Sequence, residues 1–352
     1  MGEGRAGRLL RSVDAVVYWA AAAPVLARLP AALGYRIACW RGDWFFRFEA
    51  GRRTELARNL RLVLGNELSD EAVQQVTREW YRLNSCQPVD VKRLRHGARS
   101  LLRRLVEVRG REHLEAALAA GKGAILCTGH FGSYNCGFSV LHASGFPVTT
   151  IGRWQYRRVA NLSSVQRWFW DRVYARPLMR LQQRPNIEPW PGRVEVAVLA
   201  AAVLRANEVL VISIDTPPLD ADRARAVEVP FLGRRAGLVP GAVTLAQLTG
   251  APLLMGFFYR TADYRHQVWE ISAPVPVEGD TATAFERCAA EVSAAIRRSP
   301  AHWEFWMNTG DLADLGLIRP KQDEPPPDAR PVISPDEGFV HDGSADRIPY
   351  RC

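Results

Sequence analysis

A histidine set between glycines, Gly129-His130-Phe131-Gly132, is the residue of this 352-residue chain best placed to move a proton. The apolar run 124–128 before it reads as a buried strand, and Phe131-Gly132 lets the chain turn sharply into a helix. A histidine delivered there is exposed at a sheet edge, where a near-neutral imidazole can accept a hydroxyl proton. The same placement would equally let it do no more than cap the following helix. Asp215 stands in a comparable position, at the end of the apolar stretch 209–214 and before Thr216-Pro217-Pro218. It could bind substrate hydroxyls, hold an arginine or cap its own turn. The six cysteines (39, 86, 127, 136, 288 and 352) form no CxxC pair and no cluster at metal-ligand spacing. That pattern points to free thiols in a reducing compartment.

The elements that must hold these residues alternate. Strands are expected over 105–108, 124–128, 147–151, 209–214, 252–259 and 266–271. Helices are expected over 112–120, 194–205, 239–248 and 283–298, with a further helix opening at Ser69-Asp70-Glu71 and running to about Leu83. Such alternation predicts an α/β domain whose central sheet is mostly parallel and flanked by helices on both faces. Ligands of such sheets sit beyond the carboxyl ends of strands, where His130 and Asp215 both fall.

Three regions divide the chain. Residues 1–52 form an apolar segment dotted with arginines, in which Trp40, Trp44, Phe45 and Phe46 lie beside Arg41 and Arg47. Rings at headgroup depth with guanidinium groups on phosphates make an interfacial membrane anchor. The apolar run 15–27 has no cleavage-site pattern and is short for a span, so a helical hairpin or slanted interfacial helix is expected, with one true span as the alternative. A helical hairpin packed on the core would account for the same residues. Residues 53–318 are expected to form one domain, the one that carries His130 and Asp215. Residues 319–352 hold seven prolines and little apolar content, the composition of a disordered tail.

The formal charge of +9 is carried by arginine, since Lys92, Lys122 and Lys321 are the only lysines. Arginine suits oxyanions because its planar fork binds them bidentately. The stretch 153–184 concentrates this tendency, with eight arginines against Asp171 and with interleaved Trp154, Tyr156, Trp168, Phe169, Trp170 and Tyr174. Nucleic-acid binders also interleave aromatic and basic residues, but no motif of that kind accompanies it. An anionic membrane surface is the expected partner, and nucleic acid is not.

The block around His130 resembles the active-site block of the lauroyl/myristoyl acyltransferases of lipid A biosynthesis, shared by the related phosphatidylinositol mannoside acyltransferases. Their block reads Gly-His-Phe-Gly-x-x-acid, a variant of the His-x4-Asp/Glu motif of glycerolipid acyltransferases. Three further stretches carry the likeness. Arg52 to Asn59-Leu60 resembles an upstream block ending in Asn-Leu. Asp215 followed by Val227-Glu228-Val229-Pro230-Phe231-Leu232-Gly233 resembles an Asp block and its downstream strand. Thr249-Gly250-Ala251-Pro252 resembles the turn into the next strand. Together they cover roughly residues 10–318.

The resemblance implies a three-layer glycerolipid-acyltransferase-like fold with an N-terminal helical membrane anchor, on the cytoplasmic face of a bacterial inner membrane. It implies transfer of a fatty acyl group from acyl-ACP or acyl-CoA, as co-substrate, to a hydroxyl of a lipid or glycolipid acceptor. No metal or other cofactor is called for. His130 would be the general base, with backbone N–H groups of 129–132 or arginines receiving the oxyanion. An apolar groove near His130 would hold the acyl chain.

Where the family has its acid, this chain has Asn135, which can orient a ring but brings no charge. Glu228 is then the best substitute acid. Slow unassisted activity, or a non-catalytic lipid-binding paralogue, would explain the same loss. Arg153 matches a family arginine expected to contact phosphate or oxyanion, and Asp215 and Asn135 join it as expected substrate contacts. The late block Pro300 to Trp306 also matches, but Met307-Asn308-Thr309 replaces the usual His-Arg-Arg, and His302 is expected to be structural.

Overall fold

In a computed structural model of the chain, residues 14, 17–95, 104–152, 186–187, 195–218 and 220–318 are described. Strand β2 (Ala124–Thr128) is apolar until its last residue and buried at every position, which marks a central strand covered on both faces. Its side chains alternate between two cores: Ile125 and Cys127 enter one, Ala124 and Leu126 the other. Strand β5 (Val209–Ser213) repeats the pattern, with Leu210 on the first side and Val209 and Val211 on the second. A sheet between two cores makes the three layers.

The seven strands run in the order β1 (Val106–Arg109), β9 (Gln267–Pro274), β8 (Leu253–Arg260), β2, β5, β3 (Val148–Ile151), β4 (Asn186–Ile187). Five of the six pairings are parallel, and β8 with β9 is antiparallel. The exception follows from the connection. A parallel return needs a dozen or more residues, and only 261–266 separate β8 from β9. Asp263 builds the turn, its carboxylate accepting from the N–H groups of Arg265 and His266 and the hydroxyl of Thr261. A two-stranded hairpin, β6 (Val227–Phe231) with β7 (Arg234–Leu238), stands apart from the main sheet.

Helices α5 (Arg111–Ala119) and α6 (Tyr134–Ala143) supply the second core. Helices α7 (Glu195–Arg205), α8 (Gly241–Thr249) and α9 (Thr281–Arg298) supply the first. The N-terminal helices are α1 (Ala23–Arg28), α2 (Ala31–Phe48) and α3 (Ala50–Leu64), so the expected boundary at residue 52 falls inside a helix. Helix α4 (Asp70–Arg95) runs a dozen residues beyond its expected end, through Pro88. Its polar last turns are held by tertiary bonds, since Asp90 accepts from Tyr35, Ser133, Arg260 and Gln267.

Helices α2 and α4 are antiparallel neighbours, with Asp43 bonded to Arg78 and Arg82, and Tyr35 bonded to Asp90. No helix among the described residues is long and apolar enough to cross a membrane. Residues 319–352, expected as a tail, lie outside the described residues.

Candidate active site

Strands β2 and β5 are parallel and in register, with Thr128 opposite Ser213. Two residues past each of those ends come His130 and Asp215, so the register alone brings them to one edge of the sheet. Nδ1 of His130 lies 2.8 Å from Oδ1 of Asp215. The backbone N–H of His130 donates to Oδ2 at 2.7 Å, and the indole N–H of Trp303 donates to the same oxygen at 2.9 Å. Asp215 is wholly buried, while the His130 side chain is 21% exposed. A buried carboxylate fixed by two N–H donors therefore holds the imidazole by Nδ1. In that tautomer Nε2 is the proton-accepting nitrogen.

Both glycines of the loop answer to close contacts. A Cβ on Gly129 would stand 2.8 Å from Oδ2 of Asp215, so any larger residue would push the carboxylate away. Gly132 has φ +60°, and a Cβ there would lie 2.5 Å from the carbonyl oxygen of Phe258. The segment 300–306 clamps the loop from the other side. Gly132 N–H donates to the carbonyl of His302, and Glu304 N–H donates to the carbonyl of His130. Phe305 and Tyr134 flank the imidazole, with ring centroids 4.8 and 5.1 Å away. Asn59 of the upstream block donates to the carbonyl of Trp306, so that block secures the clamp.

The N–H groups of His130 and Gly132 are thus occupied, which removes both from the oxyanion donors expected in 129–132. His302 is buried and structural in its contacts. Its Nε2 accepts from the N–H of Arg260, and its ring stacks on Phe131 at 5.5 Å. Burial, followed by the charge of Arg260, pulls its pKa down to about 4.

Glu228 is not the acid on the histidine. It sits on β6, where Val229 and Phe231 face the core and Glu228 faces out, its side chain 68% exposed. Its carboxylate lies 3.5 Å from Nε of Arg235 across the hairpin. The period of two that buries its neighbours is what turns it to solvent. Asn135 lies in the first turn of α6, and its carbonyl accepts from the Ser139 hydroxyl. Arg153, with the rest of the basic stretch 153–184, lies outside the described residues.

Below the loop is a second buried polar group that the sequence did not single out. Ser133, which precedes α6, donates to Asp90 at 2.6 Å, and Asp90 is paired with the buried Arg260. A cleft of about 360 Å³ opens beside this group. Its lining includes Arg52, Asn84, Gln87, Ser133, Arg260 and Glu304, alongside Trp80, Leu83 and Met307. Among the described residues no group of three or more His, Cys, Asp or Glu side chains is placed to hold a metal ion.

The family model described as bacterial lipid A biosynthesis acyltransferase matches residues 8–309, which take in every strand and the whole of the site. No curated protein matches the chain.

Proposed function

Since this chain belongs to the bacterial lipid A biosynthesis acyltransferase family, we propose that it moves a fatty acyl group from acyl-ACP or acyl-CoA to a hydroxyl of a membrane lipid or glycolipid. His130 is the general base and Asp215 the acid that orients it. The observation that carries this reading is the 2.8 Å contact between His130 Nδ1 and the buried Asp215 carboxylate.

The acceptor hydroxyl gives its proton to Nε2 of His130 as its oxygen attacks the thioester carbonyl. Asp215 stabilises the imidazolium that forms. The tetrahedral oxyanion then collapses, the carbon–sulfur bond breaks, and the leaving thiolate takes the proton back from Nε2. With two loop N–H groups engaged, a cationic side chain is the favoured oxyanion donor, and Arg153 remains the sequence's candidate.

The cleft beside Ser133 and Arg260 suits the acceptor's headgroup. The exposed apolar face of α2 suits docking on an anionic membrane, at the cytoplasmic leaflet where the thioester donors are made. The alternative of a non-catalytic lipid-binding paralogue drew on the missing acid at 135, and the Asp215 contact speaks against it.

The test is acyl transfer by purified protein from acyl-CoA or acyl-ACP to candidate lipid acceptors. His130→Ala abolishes turnover on this reading, and Glu228→Gln keeps the full rate. Transfer that survives His130→Ala would reject the proposed base.

A further inference from the structure

Helices α2 and α4 approach closely enough that a Cβ on Gly42 would stand 2.7 Å from the Cα of Arg82. One turn along each helix from that point are Cys39 and Cys86, with their Sγ atoms 3.8 Å apart. No other part of the site uses them. We propose that Cys39 and Cys86 are a peroxide-reactive dithiol that closes to a disulfide across the α2–α4 contact.

The two thiols are unequal in the way such a reaction needs. Cys39 is half-buried and Cys86 fully buried, so the first attack falls to Cys39. The hydrogen bond from Cys86, aided by the charges of Arg260 and Arg82, holds the Cys39 thiol below its ordinary pKa against the effect of burial. The Cys39 thiolate attacks one peroxide oxygen. The O–O bond breaks, leaving a sulfenic acid and a hydroxide that takes up the thiol's proton as water. The Cys86 sulfur then attacks the sulfenic sulfur, the S–O bond breaks, and a second water leaves with the Cys86 proton. Two thiols become one disulfide while one peroxide becomes two waters. Closure needs the sulfurs to come within about 2 Å.

The bond would join the helix that displays the apolar face to the helix that carries Asp90, one turn beyond Cys86. The inference is independent of the acyl acceptor and of His130.

The experiment uses the full chain, purified reduced, freed of reductant and titrated with hydrogen peroxide before alkylation and non-reducing peptide mapping. The expected result is loss of two of the six thiols, a peptide pair linked through Cys39 and Cys86, and recovery of both thiols with dithiothreitol. Cys86→Ser should leave Cys39 trappable as sulfenic acid by dimedone. Persistence of both thiols at peroxide levels that oxidise a methionine-containing reference peptide in the same tube would overturn the proposal. So would linkage of Cys39 to another cysteine, or its oxidation to sulfinic acid without a link.

Discussion

Oδ2 of Asp215 is held by the N–H of His130 and the indole of Trp303, so the carboxylate meets the imidazole in a single orientation. Asp215→Asn keeps the size of the side chain but removes the charge that steadies an imidazolium. Its turnover should fall roughly 10²- to 10⁴-fold with a modest change in acceptor KM, measured as initial acyl-transfer rates. Gly129→Ala tests the same contact from behind, because the new methyl would press on Oδ2. The expected outcome is at least a tenfold loss of rate, with about 1–3 kcal/mol of stability lost in denaturant unfolding. An alanine variant with native turnover would mean that the carboxylate's position is not critical. In the sequence alone Asp215 reads as a substrate contact, not as the partner of His130. Both residues were placed just past strand ends, but the pairing depends on β2 and β5 being adjacent and in register, which no local pattern states. Glu228 drew attention through its sequence block, whereas strand alternation was the better guide to where it points.

At the scale of elements, the central strands and most helices were written in their apolar periodicity, and β2 was expected with its observed bounds. The reversal of β9 and the length of α4 were not. The turn that makes β9 antiparallel rests on the side chain of Asp263, and the end of α4 rests on distant partners of Asp90. Tertiary bonds decide both. The segment 300–306 shows the same dependence, because His302 is buried neutral with Nε2 accepting from Arg260. Protonation would put a hydrogen where that bond is made. With its pKa lowered from 6.5 to about 4, His302 contributes stability that is fully present above pH 6.5 and is lost as pH falls toward 4. The full effect is on the order of 3 kcal/mol. Denaturant midpoints measured from pH 7.5 down to 4.5 should fall less steeply for His302→Gln than for the parent protein. Equal slopes would show that His302 is not the group responsible.

The molecule as a whole combines a net charge of +9 with, among the described residues, an apolar row exposed on α2. On α2 the exposed side chains Leu33, Ile37, Trp40, Trp44 and Phe48 recur every three or four residues, and Trp40 is 68% exposed. Arg36 and Arg47 are exposed beside this row. Arg41 turns inward onto Tyr18 and Asp14, and Phe45 and Phe46 pack on the core, so the exposed set is narrower than the sequence suggested. A row of this kind on a helix that lies along its neighbour fits an interfacial mode, with the rings at headgroup depth and the guanidinium groups among the phosphates. Burial of an apolar side chain stabilises by about 1.5–3 kcal/mol, so losing two tryptophans should weaken binding roughly 10²- to 10⁴-fold. Vesicle flotation of Trp40→Ser/Trp44→Ser on anionic liposomes measures this directly. Because both side chains are exposed, the thermal midpoint of the variant should stay unchanged, and transfer to a short-chain soluble acceptor should continue. Transfer to acceptor held in vesicles should drop with the binding. Raising the salt should weaken the parent's flotation further, since the arginine contribution is screened. If the double variant floats as well as the parent while Val198→Ser on α7 does not, the docking face has been placed on the wrong side of the molecule.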